Sequence, residues 1–175
     1  MPTKLEPARP APRDGEADLG LVDSLAQLSF AVQGALGRIA ATHDLSITQT
    51  RLLGILRDRR PTIKELARLL QLDKSSVTGL VDRAQERRLV RRTASRIDRR
   101  SVHVTITAAG RALAGDVEAA FEAEIAVLVA DLSATQRRRL SAIASVIAVA
   151  DARRHGIDMR LAEPAPAASA VARRR

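Results

Sequence analysis

Apolar residues recur at every third or fourth position through most of this chain of 175 residues, and one short segment replaces that pattern with alternation. A spacing of three or four residues places apolar side chains on one face of a helix, whereas alternation places them on one face of a strand. The chain is therefore expected to be mainly α-helical, with a single small β-hairpin. A chain of this length usually folds as one compact domain.

Helix starts are marked by capping signals. In three places a hydroxyl residue is followed three positions later by Glu or Gln, which is the spacing of a capping box. These places predict helices that begin after Ser46, Thr62 and Ser133. The first of these helices is expected to end near Asp58 and the last near His155, whereas the middle one is short.

Three further helices follow from apolar stripes and single caps. A long first helix is predicted from Leu21 to about Thr42. Asp73 is expected to cap a helix from Lys74 to about Arg87, joined to the short helix by a tight turn. Thr107 is expected to cap the fifth helix. The stripe of that helix consists of Leu113, Val117, Phe121, Ile125 and Leu128.

The alternating segment comprises residues 89–93 and 101–106, two β-branched runs joined by a polar loop. This pattern predicts a two-stranded hairpin. In the second run His103 lies on the face opposite Val104 and Ile106. We expect His103 to lie at the surface or to pack against the hairpin, and a phosphate contact is the alternative.

Several chemistries are excluded by missing residue types. The chain has no Cys, which excludes disulfides, thiolate metal sites and thiol-based redox switches. Its two aromatic residues, Phe30 and Phe121, are too few for a surface that stacks single-stranded nucleic acid. The three histidines, His43, His103 and His155, have no metal-ligand spacing, and no nucleophile or phosphate-loop motif is present. An enzyme, a metal site and a bound cofactor are therefore not expected.

The two ends of the chain differ from the rest. Residues 1–17 and 156–175 are expected to be disordered tails around a domain at residues 18–155, because neither end can bury enough apolar surface to offset its ordering entropy. No segment has the run of about 18 apolar residues that a membrane helix needs, and the start of the chain lacks the apolar run of a signal peptide. A cytoplasmic protein without a membrane partner is expected.

Positive charge is concentrated in one region. The chain has 29 Lys and Arg against 20 Asp and Glu, a formal net charge of +9. Residues 83–100 contain eight arginines and two acidic residues, whereas residues 111–131 contain one arginine and five acidic residues. Because a composition bias would not confine the charge in this way, the basic region indicates double-stranded DNA as a partner. The alternative for any single arginine is a solvated surface charge.

The helices that follow Thr62 and Asp73 have the proportions of a helix-turn-helix. Ser and Thr at the start of the second helix can contact phosphates or base edges, and the backbone N–H groups there attract anions. The alternative is that these residues are ordinary members of a first helical turn. The candidate DNA-binding residues of this helix are Lys74, Ser75, Ser76, Thr78, Gly79 and Arg83.

Together these segments resemble the MarR family of bacterial winged-helix regulators. The resemblance covers about residues 20–155 and rests on TIKELARLL, KSSVTGLVDR and LVRR, and most specifically on DRRSVHVTITAAG at residues 98–110. It implies a winged helix-turn-helix at about residues 45–107, with dimerisation helices at about 18–42 and 108–155. It further implies a homodimer, joined through its first, fifth and sixth helices, that occupies a pseudo-palindromic operator and is released by a small ligand.

The resemblance also implies roles for residues of the wing. Asp98 would pair with a wing arginine and shape the loop, and a wing-tip arginine would reach the minor groove, with Arg96, Arg99 and Arg100 as the candidates. The chain departs from the family at Arg88, where members commonly have Gly because a left-handed conformation is often needed at the end of the recognition helix. The end of this helix is therefore expected to be built differently.

A small-molecule effector is expected, because the chain lacks the Cys on which the peroxide-sensing branch of the family relies. His43 and Arg51, near the junction of the first two helices, could supply a hydrogen-bonding and a positive group beside an aliphatic wall. An aromatic acid such as salicylate is therefore the first ligand class to test. The alternative for His43 is a packing role between helices.

The sequence thus predicts a ligand-responsive repressor that binds specific double-stranded DNA as a homodimer. Two alternatives stay open, namely an architectural nucleic-acid-binding protein without a preferred site and a protein-interaction module that kept the fold. For the apolar stripes of the long helices, an intrachain bundle is the alternative to a dimer.

Overall fold

The computed structural model describes residues 18–94 and 102–157. Within these residues the chain forms six helices and one antiparallel two-stranded sheet, which confirms the expected mainly α fold with a small hairpin. No helix in this part of the chain is long and apolar enough to cross a membrane. The elements are α1 (Gly20–Thr42), α2 (Ile47–Asp58), α3 (Ile63–Leu70), α4 (Lys74–Glu86), β1 (Val90–Ala94), β2 (Val102–Ile106), α5 (Ala108–Leu128) and α6 (Ala134–Arg154).

The three predicted capping boxes start α2, α3 and α6. At α2 the Ser46 hydroxyl accepts a hydrogen bond from the Gln49 backbone N–H at 3.1 Å, and the Gln49 side chain accepts one from the Ser46 backbone N–H at 2.8 Å. The side chains of Asp73 and Thr107 likewise accept the first N–H groups of α4 and α5. Each of these helices therefore begins where its capping residue predicts.

Four helices end in the same way, although only one has a Gly there. Just beyond α1, α3, α4 and α6 one residue has a left-handed backbone, and the N–H of the following residue donates to a carbonyl five positions earlier. The left-handed residues are Asp44, Gln71, Arg88 and Gly156, with φ of 53°, 56°, 58° and 65°. The expectation that the end of α4 is built differently at Arg88 is wrong, because Arg88 adopts the conformation for which Gly is usual.

The core lies within the winged helix. Its largest fully buried side chains are Leu52, Leu56, Leu66, Leu70, Val77, Val81, Val90 and Val104. The helix α5 joins this core through the buried Val117 and the partly buried Leu113 and Phe121. The inner positions of α2, α3, α4 and the hairpin thus pack around one centre, and α5 covers it as far as Phe121.

Contacts divide the chain after Gly34, within α1. In the described part before this point, Leu21, Val22 and Phe30 are exposed, with Val22 at 79%. In the part after it, α6 is exposed along almost its whole length, and the side chains of Ile143 and Val146 are 60% and 70% exposed. Both α1 and α6 therefore carry apolar side chains that this chain leaves open to solvent.

The predicted tails lie almost entirely outside the described residues. Gly156 and Ile157 are the exception, because they complete the end of α6. The N–H of Ile157 donates to the carbonyl oxygen of Ala152 at 2.8 Å.

Candidate nucleic-acid interface

A short turn places α4 against α3. The left-handed Gln71 follows α3, and Asp73 starts α4 by accepting the Ser76 backbone N–H at 2.8 Å. Leu70 of α3 and Val77 of α4 are buried in the same core. The two short helices therefore form the helix-turn-helix that the sequence predicts.

The outward side of α4 carries all six of the candidate DNA-binding residues in this helix. Its inward side consists of Val77, Leu80, Val81 and Ala84, which are buried. Among the outward residues, Thr78 and Gly79 are half-buried and the other four are exposed. The outward residues are Lys74, Ser75, Ser76, Thr78, Gly79 and Arg83.

The three hydroxyl groups of this face all donate to acceptors within the protein. The hydroxyls of Ser75 and Ser76 donate to the two carboxylate oxygens of Asp73, and the Ser76 bond is 2.6 Å long. The Thr78 hydroxyl donates to the carbonyl oxygen of Lys74 at 2.8 Å. The bonds from Ser75 and Ser76 hold the pKa of Asp73 well below its usual range. The carboxylate at the start of α4 is therefore ionised at neutral pH.

The hairpin is fixed to the segment before α3 through the first half of β2. Val90 pairs with Ile106 and Ala94 with Val102, so the strands lie antiparallel. The ring Nδ1 of His103 lies 2.7 Å from the carbonyl oxygen of Arg60, which precedes α3. His103 thus anchors β2 near its first residue, which corresponds to the packing role expected for it and leaves the alternative of a phosphate contact without support.

Two arginines of the basic region have structural partners that the sequence does not reveal. The guanidinium of Arg87 donates to the carbonyl oxygens of Asp44 and His43, at 2.5 and 3.2 Å. The guanidinium of Arg92 lies 2.6 Å from the Asp82 carboxylate, so it neutralises an acidic side chain on the outward side of α4. Both contacts join residues of separate elements, and no local spacing rule would have found them.

The wing tip lies outside the described residues. Four predicted site residues fall there, namely Arg96, Asp98, Arg99 and Arg100. Their predicted roles, minor-groove contact for the arginines and loop shaping for Asp98, stay predictions.

The Thr-x-x-Gly motif after the wing connects α4, the hairpin and α5 through close backbone contacts. The Thr107 hydroxyl donates to the carbonyl oxygen of Arg88 at 2.7 Å and accepts the Gly110 N–H at 3.0 Å. A Cβ atom at Gly110 would lie 2.1 Å from the carbonyl oxygen of Leu89. Only Gly fits this contact, so packing explains the Thr-x-x-Gly part of the motif that carries the resemblance.

The candidate effector residues lie near the junction of α1 and α2. His43 is half-buried just after α1, and Arg51 is exposed on α2. Within the part of the chain that the structure describes, neither side chain makes a hydrogen bond or an ion pair with another residue. Only the backbone of His43 is engaged, through its carbonyl oxygen and Arg87.

A second polar contact ties α2 to α5. The Arg57 guanidinium donates to the carboxylates of Asp58 and of Glu118 on α5. These bonds, with Glu118 as the larger cause, raise the pKa of Arg57 above its usual range. Arg111 of α5 donates to the Arg57 carbonyl oxygen at 3.2 Å. The end of α2 is thereby fixed to the first half of α5.

A helix-turn-helix with an outward polar face on its second helix, followed by an antiparallel hairpin in a basic segment, defines the winged-helix class of DNA-binding proteins. Residues 43–101 match the sequence model described as the MarR family. The match spans the helix-turn-helix and the first strand of the hairpin, and together with the fold it supports a DNA-binding transcriptional regulator of the MarR type. No curated protein sequence matches the chain.

Solved structures of MarR-family proteins share this fold. CouR from Rhodococcus jostii, bound to p-coumaroyl-CoA, is 26% identical over 71% of this chain and 89% of its own, with a TM-score of 0.61. The apo form of MarR from E. coli is 20% identical over 75% and 98% of the two chains, with a TM-score of 0.66. A MarR-family protein from Mycobacterium tuberculosis, in complex with p-aminosalicylic acid, is 24% identical over 74% and 98%, with a TM-score of 0.61.

Proposed function

We propose that this protein is a repressor that binds a pseudo-palindromic operator in double-stranded DNA as a homodimer. The observation that carries the proposal is the outward side of α4, where Lys74, Arg83 and three hydroxyl residues lie together over a buried apolar side. Such a helix fits the major groove, where side chains at its start contact base edges. The basic wing segment adds cations for the DNA backbone beside it.

The proposed dimer accounts for the exposed apolar side chains of the long helices. Exposed apolar residues on α6 include Ile143, Val146 and Ile147, and the end of α5 exposes Val127 and Leu128. The exposed apolar residues of α1 include Leu21, Val22 and Phe30. Large exposed apolar surfaces usually mark protein interfaces. A second copy of the chain, contributing the same helices, would cover them.

Selection from randomised duplexes in the presence of nonspecific competitor tests the operator. Two recognition helices related by a dyad should bind half-sites that are about 10 base pairs apart. The selected site placed over a promoter should lower transcription of a reporter. A selected site without inverted symmetry, or specific binding by a chain that stays monomeric, would contradict the proposal, and binding that competitor abolishes would favour an architectural protein.

We further propose that a small aromatic acid, or a thioester of one, releases the protein from its operator. His43 and Arg51 are available for such a ligand near the junction of α1 and α2, and p-coumaroyl-CoA, the ligand bound to CouR, supports this chemical class. A ligand acts only through its different affinities for two arrangements of the protein, and a preference of about 1.4 kcal/mol gives a tenfold loss of operator affinity.

The effector proposal is tested by titrating salicylate, p-coumaroyl-CoA and peroxide against the operator complex. Release by an aromatic compound is expected, and the paired substitution of His43→Ala and Arg51→Ala should abolish it. Arg68→Ala, which removes a different arginine, on α3, is the matched control and should keep the response. Ligand release that survives the paired substitution would exclude these residues, and release by peroxide alone would exclude the ligand class.

A further inference from the structure

The hydroxyl groups at the start of α4 already donate their protons in hydrogen bonds within the protein. The hydroxyls of Ser75 and Ser76 donate to Asp73, and the Thr78 hydroxyl donates to the Lys74 carbonyl oxygen at 2.8 Å. A hydroxyl has one proton and two lone pairs. Once the proton is committed inside the protein, only lone pairs remain for an outside partner.

Asp73 determines which partner donates in the hydrogen bonds of the two serine hydroxyls. Its carboxylate also accepts the Ser76 backbone N–H at 2.8 Å, and an ionised carboxylate accepts hydrogen bonds without donating any. The two serine hydroxyls must therefore be the donors in their bonds to Asp73. The negative charge beside them also disfavours a phosphate at this end of the helix.

We propose that the start of α4 is a hydrogen-bond acceptor surface that selects the amino groups of adenine and cytosine in the major groove, with Asp73 as the positioning residue. The proposal rests on the proposed function, because it specifies what the recognition helix reads. Adenine N6 and cytosine N4 are the major-groove donors, whereas guanine O6 and thymine O4 are acceptors. On the contacted strand, a hydroxyl held as an acceptor pairs with the first two bases and leaves the other two unpaired.

The rest of the outward side has the opposite chemistry. Arg83 presents only donors, at a site two turns further along α4, and arginine suits guanine O6 and N7. The helix therefore reads amino groups near its start and guanine near Arg83. Asp73 acts on the bases through these hydroxyls, because its Oδ1 accepts the Ser75 hydroxyl and the Ser76 N–H and its Oδ2 accepts the Ser76 hydroxyl.

Asp73→Asn separates the direction of the hydroxyl bonds from helix capping. Asn caps helices as well as Asp does. Its single carbonyl oxygen has two lone pairs and its NH₂ group is a donor, so it cannot accept the Ser76 backbone N–H together with both hydroxyl protons. Glu86→Gln is the matched control, because it removes another exposed carboxylate from α4 that makes no bond to the hydroxyls.

The experiment is selection from randomised duplexes with the full-length protein, followed by affinity measurements on the selected sites. Ser75→Ala and Ser76→Ala identify the base pairs that each hydroxyl reads, since the base preference disappears there. At these positions Asp73→Asn should reduce the preference by about two- to tenfold, the value of one hydrogen bond. Glu86→Gln should raise affinity for all sequences alike and keep the preference, and thermal melting confirms that each variant is folded.

Replacement of a selected adenine with 2-aminopurine identifies the contacted strand. This analogue pairs with thymine but lacks the 6-amino group, so wild-type affinity should fall by about two- to tenfold while the corresponding serine variant should show no fall. An unchanged preference in Asp73→Asn, or no effect of 2-aminopurine on the wild-type protein, would overturn the inference. Failure of the wild-type protein to select any sequence would instead contradict the proposed function.

Discussion

At Gly110 the absence of a single Cβ atom allows the start of α5 to pack against the start of the hairpin. The Gly110 backbone lies against the carbonyl oxygen of Leu89, where the strand of the wing begins and where Thr107 also binds. The Thr-x-x-Gly spacing is therefore required by contact between two backbones. A hydrogen-bond motif would tolerate Ala at the Gly position, but this contact does not.

Gly110→Ala is expected to destabilise the protein by about 1–3 kcal/mol, the usual cost of overpacking. The reason is that the added Cβ would lie 2.1 Å from the Leu89 carbonyl oxygen. Gly54→Ala on α2 is the control, because a Cβ there meets nothing within 4 Å, and it should stabilise the helix by up to about 1 kcal/mol. Denaturant unfolding measures both changes, and equal effects would contradict this explanation.

Arg88 carries a left-handed backbone conformation that its side chain disfavours, with φ of 58°. Arg88→Gly should therefore be more stable than Arg88→Ala by about 1 kcal/mol, because both remove the same charge and only Ala keeps the Cβ. Chemical denaturation of the two variants measures the difference. Equal stability would mean that Arg88 is not strained.

At the scale of elements, the capping box of α3 makes stability depend on pH. The pKa of Glu65 lies below its usual 4.5, mainly because the carboxylate accepts a hydrogen bond from the Thr62 backbone N–H. A lowered pKa in the folded state means that this contribution is present above the unfolded pKa and is lost as pH falls through the folded one.

Glu65→Gln should keep the capping bonds and remove this titration. The thermal midpoint of the wild-type protein should therefore fall more steeply than that of Glu65→Gln as the pH falls below 4.5. Melting curves at a series of pH values, from neutral to acid, measure the difference. Parallel curves would show that Glu65 makes no contribution through its charge.

The hydrogen bonds of Arg87 connect α4 to the residues that follow α1, and they predict a role distinct from DNA contact. Arg87→Gln should lower stability by about 1 kcal/mol and weaken operator binding without changing its dependence on salt. Arg99→Ala or Arg100→Ala should instead reduce the salt slope by about 1 for each DNA phosphate that the variant no longer neutralises. Binding isotherms at several salt concentrations measure both effects, and a reduced slope in Arg87→Gln would mean that Arg87 binds DNA.

At the scale of the whole molecule, the described part of one chain leaves α6 largely uncovered. Val146→Glu should shift the proposed dimer to a folded monomer and abolish operator binding, because it places a charge in the apolar surface of α6. Ser145→Glu, on the side of the same helix away from that apolar surface, is the control and should stay dimeric. Sedimentation measures the mass and circular dichroism the folding, and a dimeric Val146→Glu would place the interface elsewhere.

Local sequence signals determined the helices, their starts and the hairpin. Ser46, Thr62, Asp73 and Ser133 predict their helices because a cap acts on backbone N–H groups within three residues. The outward residues of α4 were also predictable, because the helical period assigns them to one side and the buried valines to the other.

Only the tertiary structure decided the roles that depend on distant residues. Arg87 and Arg92 look like DNA-binding cations in the sequence, yet one binds carbonyl oxygens after α1 and the other binds Asp82. The left-handed conformations of Asp44, Gln71 and Arg88 also escaped prediction, because backbone bonds and packing hold a conformation that non-Gly residues disfavour. Capping and helical periodicity act within a few residues, so short sequence spacings predict them. Contacts between separate elements depend instead on how the core brings those elements together.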